Sequence, residues 1–359
     1  MFKKISMVSL LLLNPMLSSL NDCVMCSCVA SVEENDDATI VENDVKDEMD
    51  VSSVYHEGLE SVDYASTGLT LPVVEYDVIS KQKTFYSISY SNSGYSTTAS
   101  KAIMGPNGYY SFKNYEYNSV YNGVKDNLYQ TEYKYRPYSY ISSVGQTYVE
   151  YGDNGFLGSC FTVGNNIILS AAHCFYKDGK FPTDAGSYFV LKENKAFAKY
   201  SKIKKIIIPK AFYDGKNIGD DTSQRAYDWC VCVLKENVGD QVGYLSVSSG
   251  YTMSGCYSYA CGYPTIDGDT RDKELCYSAA LGTNSQDSTS GTALFNLYNY
   301  LLPGMSGGPV MFYYENSMTF EQYFGVSSIN TMSNKINHHG YSVKITNAMI
   351  ETLRKAKTL

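Results

Sequence analysis

The sequence predicts an all-β fold. Tyrosine is abundant at 35 residues, beside 28 glycines. Charged residues make up only 18 % of the chain. Short apolar or alternating runs recur from about Arg136 onward, separated by Gly, Asn, Asp and Ser, the pattern of an antiparallel sandwich or barrel. The first runs are Tyr138–Ile141, Gly145–Val149, Phe156–Thr162, Asn166–Ser170, Tyr188–Leu191, Ile203–Ile208 and Trp229–Leu234. They continue with Tyr257–Gly262, Cys276–Leu281, Thr292–Tyr298, Val310–Tyr314, Tyr323–Ile329 and Gly340–Ile345. One helix is expected at the C-terminal end. Asn347 is its expected cap, and Met349, Ile350 and Leu353 recur at helical spacing. Arg354, Lys355 and Lys357 suit the negative end of its dipole.

The N-terminal third reads differently. Lys3 and Lys4 precede an apolar stretch from Ile5 to Leu20, broken by Asn14 and Pro15. This is the pattern of a secretory signal, with cleavage expected after Ala30. Residues 31–80 hold 14 Asp/Glu against one Lys, a net of −13, while residues 81–359 carry +4. Residues 31–65 are too polar to offset the entropy of ordering, so a loosely held leader is expected there. Residues 66–135 are rich in Tyr, Ser, Asn and Gly, with hints of short strands; they read as a propeptide or a Tyr-rich surface segment. The expected organisation is signal peptide 1–30, acidic and Tyr-rich leader 31–135, and folded domain 136–359. Nothing is basic enough to suggest nucleic-acid binding, and no second long apolar run suggests membrane contact after signal removal.

Of ten cysteines, Cys23, Cys26 and Cys28 lie in or beside the signal, leaving seven. An odd number in an exported chain leaves at least one thiol unpaired. Cys230 and Cys232 share a strand and are expected to face opposite sides, with at least one a small buried residue. Cys256, Cys261 and Cys276 are expected to include one disulfide, with the pairing open.

Three motifs carry chemistry. Ser306 stands within Pro303-Gly304-Met305-Ser306-Gly307-Gly308-Pro309, where glycines lift a serine on a tight turn and leave backbone N–H groups to face a substrate oxygen. His173 follows an apolar strand in Leu169-Ser170-Ala171-Ala172-His173-Cys174. Cys160 closes Gly158-Ser159-Cys160, and a disulfide from Cys160 to Cys174 is expected to staple the histidine turn to its neighbour. Asp228 opens Trp229-Cys230-Val231-Cys232-Val233-Leu234, where a carboxylate needs a partner; Asp220 and Asp221 are weaker candidates. A hydroxyl needs a base, and an imidazole needs a carboxylate to set its tautomer. His173, Asp228 and Ser306 therefore read as a catalytic triad, with the N–H groups of Gly304 and Ser306 binding an oxyanion.

These motifs, in this order, resemble the trypsin/chymotrypsin family of serine peptidases over roughly residues 136–359. The Cys261-Gly262-Tyr263-Pro264 stretch, the short Asp-to-Ser interval and the leader are most similar to the bacterial glutamyl-endopeptidase-like branch. The resemblance implies two antiparallel six-stranded barrels with a C-terminal helix, and a zymogen whose leader is removed. It implies a secreted serine endopeptidase, an acyl-enzyme intermediate, protein or peptide substrates, no cofactor, and a monomer, extracellular or held at the cell surface. A catalytically silent trypsin-fold binding protein at the cell surface is the alternative. Tyr300 stands where trypsin-like enzymes place an Asp. Leu301 and Ser327 stand where the glutamyl-specific branch uses Thr and His, by a gap-free count. A neutral or apolar specificity pocket from Tyr300, Leu301 and Ser327 is expected, with His338 and His339 read as exposed turn residues. Asp267–Asp272 reads as a solvated turn rather than a Ca²⁺ loop, and no metal site is expected.

Overall fold

The structure, a computed structural model, describes residues 68–91, 142–190, 198–215, 225–249, 257–264, 275–281, 283–287, 293–315, 322–334 and 339–358, with strand pieces at 23–25, 28–30 and 129–130. The strands are β1 (Cys23–Met25), β2 (Cys28–Ala30), β3 (Leu69–Asp77), β4 (Lys83–Tyr90), β5 (Tyr129–Gln130), β6 (Val144–Tyr151), β7 (Asn154–Gly164), β8 (Ile167–Ser170) and β9 (Asp184–Val190). They continue as β10 (Ala198–Pro209), β11 (Cys230–Leu234), β12 (Tyr257–Gly262), β13 (Cys276–Leu281), β14 (Thr283–Asp287), β15 (Ala293–Tyr300), β16 (Pro309–Glu315), β17 (Gln322–Asn334) and β18 (His339–Lys344). The helices are α1 (Lys210–Asp214), α2 (Gly239–Val242) and α3 (Asn347–Ala356).

Six strands close a barrel. β6 pairs with β7, β7 with β8, β8 with β11, β11 with β10, β10 with β9, and β9 returns to β6. The strand period of two divides its residues between two cores. Cys160, Ile168, Phe189, Ile206, Ile208, Cys230 and Cys232 pack inside. Phe161, Leu169, Ile207, Val231 and Val233 face outward, into a second core shared with Met311, Ile329, Val343 and the apolar face of α3. β8 and β11 are thus buried on both faces, which is why both read as continuous apolar runs.

β13, β12, β16, β17, β18 and β15 pair in that order to form the second sheet. β14 extends it beside β15, and β5 beside β13. Its two ends meet through a side chain. Buried Asn299 of β15 donates to Ser278 O of β13 at 2.7 Å and accepts from Ser258 Oγ of β12 at 2.8 Å. This polar latch stands where the expected second barrel would close by a ladder. The short strands β1 and β2 run beside β17 and β7.

The cap of α3 lies one residue earlier than expected. Thr346 caps it, with its hydroxyl accepting Met349 N–H at 3.3 Å. Asn347 instead donates to Ser91 O at 2.6 Å and bonds Ser249, tying the helix to the end of β4.

The β3–β4 hairpin falls within the stretch read as a leader, yet it is built into the folded body. β3 continues the first sheet beyond β10, from Lys205↔Asp77 to Pro209↔Val73. It is buried on both faces: Val74 and Tyr76 join the barrel interior, while Leu71 and Val73 join the second core with Ile88 and Tyr90 of β4. Tyr76 stacks on Phe181 with ring centroids 4.4 Å apart. Glu75 accepts from Lys205 at 2.7 Å and from Tyr86 at 3.1 Å. Truncating Leu71, only 4 % exposed, to alanine should cost about 2–5 kcal/mol. Chemical denaturation of Leu71→Ala checks this; an unchanged midpoint would place the hairpin outside the cooperative unit.

Candidate active site

The pairing of β8 with β11 creates the first half of the site. The register Cys230↔Ser170 sets the start of β11 beside the end of β8. Asp228, two residues before Cys230, therefore meets the turn that follows Ser170. Ala171 and Ala172 are fully buried and small enough to tuck that turn, the 3-10 segment Ala172–Cys174, under the barrel rim. His173 is 3 % exposed and Asp228 is fully buried.

Asp228 holds His173 at two points. Its Oδ1 accepts the His173 backbone N–H at 2.9 Å, and its Oδ2 accepts Nδ1–H at 2.7 Å. The second bond assigns the tautomer and leaves Nε2 as the basic nitrogen. Nε2 is buried with no hydrogen-bond partner among the described residues. Burial pushes the imidazole down, but the Asp228 carboxylate and the adjacent Cys174 outweigh it and hold the ring well above the usual histidine range.

Two successive turns carry the serine. Met305 N–H closes the first onto Leu302 O at 3.1 Å, with Pro303 second and Gly304, at φ 89°, third. Gly308 N–H closes the second onto Met305 O at 3.1 Å, with Ser306 second and Gly307, at φ 86°, third. A positive φ at the third position is the type II turn that demands glycine. Gly307 has a second reason to be glycine: a Cβ there would lie 2.1 Å from both Ser159 O and Ser170 Oγ. The turn is pressed directly onto the first barrel. Ser306 is 1 % exposed, and its hydroxyl donates to Thr331 O at 3.2 Å. The Ser306 hydroxyl is thus turned to Thr331 and makes no hydrogen bond with His173 Nε2.

The specificity residues fare unevenly. Leu301 is buried and packs on Gly340. Tyr300 pairs through its backbone with His339 across β15 and β18, and its side chain lies outside the described residues. Ser327 does not flank the serine. The β16–β17 register steps from Val310↔Ser328 to Met311↔Val326, so Ser327 is the extra residue of a bulge, its hydroxyl donating to Val310 O at 3.2 Å. Asn330 and Thr331 take the place beside Ser306. Asn330 O accepts Gly307 N–H at 2.7 Å, and its side chain donates to Cys261 O at 2.9 Å. A gap-free count could not register the bulge.

The expected Cys160–Cys174 disulfide is absent; both are buried free thiols. Cys160 points into the barrel. Cys174 sits over Gly158, where a Cβ would lie 2.9 Å from its sulfur. Positions 158 and 160 share a face but lie roughly 6.6 Å apart along the strand, so the motif is offset by one pleat. The expectation that Cys230 and Cys232 face opposite sides inverted the strand period. Residues two apart share a face, and the two sulfurs lie 3.7 Å apart inside the barrel. Burial pushes the Cys160 and Cys230 thiols well up, so they stay protonated and serve as small apolar filling. Cys261 is buried as well, its thiol directed to Tyr259 O at 3.9 Å.

Cys256, Asp220, Asp221, Asp267–Asp272 and His338 lie outside the described residues, as do the side chains of Cys276 and His339. Among the described residues, no cluster of three or more His, Cys, Asp or Glu is arranged to hold a metal ion.

Residues 158–316 match the family model of a trypsin-like peptidase domain. No curated protein matches the chain. Similar solved structures include a Glu endopeptidase, with a TM-score of 0.49 and 16 % identity over 66 % of this chain and 98 % of that one. Another is the protease Anisep from Arthrobacter nicotinovorans, with a TM-score of 0.45 and 17 % identity over 62 % and 98 % of the two chains. A third is the thermostable serine protease AL20 from an extremophilic microorganism, at 0.43 and 16 % over 61 % and 99 %.

The contact between Cys174 and position 158 can be tested directly. A cysteine at 158 would place its Cβ about 3 Å from the Cys174 sulfur, as a bond of ~2.05 Å between sulfurs requires. Gly158→Cys should therefore form a disulfide with Cys174 on mild oxidation, seen as a cross-linked peptide by mass spectrometry. The wild type should yield no Cys160–Cys174 cross-link under the same conditions.

Proposed function

We propose that the chain is a secreted serine endopeptidase working through His173, Asp228 and Ser306, a reading supported by the match of residues 158–316 to a trypsin-like peptidase domain. The observation that carries this reading is the two-point bond from fully buried Asp228 to His173. A carboxylate buried there solely for stability would be poorly repaid. Held in this way, it orients an imidazole and stabilises its charged form, with Nε2 directed away from the carboxylate.

The chemistry proceeds from this resting arrangement. The Ser306 hydroxyl rotates from Thr331 O toward His173 Nε2. As Ser306 Oγ bonds to the substrate carbonyl carbon, its proton passes to Nε2. The carbonyl oxygen becomes an oxyanion, held by the Gly304 and Ser306 N–H groups. Collapse breaks the C–N bond, and His173 gives its proton to the departing amine. Water then repeats the cycle on the acyl-enzyme, with His173 again taking and returning one proton. The side of the site formed by Leu301, Asn330 and Thr331 is uncharged, which favours a neutral residue before the cleaved bond. Export follows from the Lys3–Lys4 and Ile5–Leu20 pattern.

Ser306→Ala in the mature protein should abolish labelling by a fluorophosphonate probe and lower peptide hydrolysis by about 10⁶-fold. Far-ultraviolet circular dichroism should be unchanged. A wild type that resists the probe would instead support the catalytically silent alternative.

The pH profile tests the Asp228–His173 pair. The base works only unprotonated. Because its pKa is raised, kcat/KM should fall with decreasing pH at a value above the ordinary ~6.5 of histidine. Asp228→Asn removes the charge that raises it, so the acid limb should move to lower pH while the rate drops about 10⁴-fold. A profile that does not move would separate Asp228 from the reacting histidine.

A further inference from the structure

We propose that Ser159 is a positioning residue whose hydroxyl holds the oxyanion-binding turn in its working geometry, a role that rests on the serine-peptidase reading above. Ser159 lies on β7 and is fully buried. Every polar group it owns is committed to the region around the nucleophile. Its backbone N–H donates to Ser306 O at 2.7 Å. Its hydroxyl donates to Gly304 O at 2.7 Å and accepts Tyr263 N–H at 2.8 Å. Its carbonyl accepts the Ser170 hydroxyl at 2.7 Å.

These four bonds converge from separate elements. Ser170 ends β8, the strand that leads to His173. Tyr263 follows β12 of the second sheet. Gly304 and Ser306 bracket Met305 in the nucleophile turn. The Gly304–Met305 peptide lies between the two peptides whose N–H groups are assigned to the oxyanion. Gly304, at φ 89°, is the most freely rotating residue in that stretch. Pinning its carbonyl removes the rotation that would re-aim both N–H groups. The backbone bond to Ser306 O fixes the other side of the serine.

The hydroxyl's one donor goes to Gly304 O, and one of its two lone pairs takes Tyr263 N–H. Gly262 closes the remaining space, since a Cβ there would lie 2.9 Å from Ser159 Oγ and 2.8 Å from Met305 Cα. Alanine at 159 would preserve the strand and its backbone bonds. It would leave Gly304 O and Tyr263 N–H buried without their partner and release the turn.

The test compares mature wild type with Ser159→Ala by steady-state kinetics, by affinity for a peptide aldehyde and by thermal unfolding. The aldehyde forms a hemiacetal oxyanion at the serine and so reports the oxyanion site. The expected result is a fall in kcat of about tenfold or more, with KM little changed. Aldehyde affinity should fall by the same factor, with the unfolding transition still cooperative. Unchanged kcat and aldehyde affinity would overturn the proposal, as would a loss of kcat with aldehyde affinity intact. Should Ser159→Ala fail to fold, Ser159→Cys keeps the shape with a weak donor and must show the same paired losses. Wild type that neither hydrolyses peptides nor takes the fluorophosphonate would overturn the peptidase reading itself, an outcome distinct from a fully active Ser159→Ala.

Discussion

A carboxylate with no exposed surface governs this structure. Asp228 sits at the mouth of β11 between two apolar cores, where an unpaired charge would be severely destabilising. Its two oxygens are satisfied by the backbone and ring of one residue, His173. That solution requires β8 and β11 to be neighbours in one register, and the closed barrel supplies it. Shifting the register by one residue would turn Cys230, Cys232 and Leu234 out of the barrel and carry Asp228 away from the histidine turn. Barrel closure and the polarity of the site are therefore one constraint.

The nucleophile is placed by the opposite means, the absence of side chains. Gly307 lies against Ser159 O and Ser170 Oγ with no room for a Cβ, and Gly308 is pressed equally closely on Cys261 O. The turn can approach the first barrel only because it is nearly bare backbone. Its position is then held by hydrogen bonds to Ser159 of the barrel and Asn330 of β17, beside the buried Met305 side chain. A buried charge with strong partners orients the base, while a set of neutral bonds orients the serine.

Much of this was legible in the sequence. β8 and β11 announce themselves because strands buried on both faces are uninterrupted apolar runs. His173, Asp228 and Ser306 stand out because each breaks such a run with a group that burial penalises. What escaped was register. A count along β17 points to Ser327, but that strand contains a bulge and only the partner strand reveals the extra residue. Spacing suggests a Cys160–Cys174 pair, but the thiol at 174 faces position 158, one pleat away. Thr346 rather than Asn347 caps α3, because Asn347 is occupied by Ser91 O and Ser249. In each case the deciding contact is supplied by a distant segment.

The β3–β4 hairpin was obscured in a different way. Glu75 and Asp77 placed it within an acidic tract, and average charge says nothing of where individual carboxylates go. Glu75 is answered by Lys205, and Asp77 turns its carboxylate back on the N–H groups of Ile79 and Ser80. Those backbone bonds hold the Asp77 carboxyl below the usual carboxylate range, against the opposing effect of partial burial. With the charges satisfied locally, Leu71, Val73, Val74 and Tyr76 are free to fill both cores. The hairpin meets the barrel through a five-residue ladder and meets the C-terminal helix through Ser91 and Asn347. Backbone cleavage downstream of Ser91 would break none of these contacts. The hairpin would remain in place by non-covalent packing, so the physical edge of the folded body lies ahead of Leu69, well inside the stretch whose composition reads as a leader.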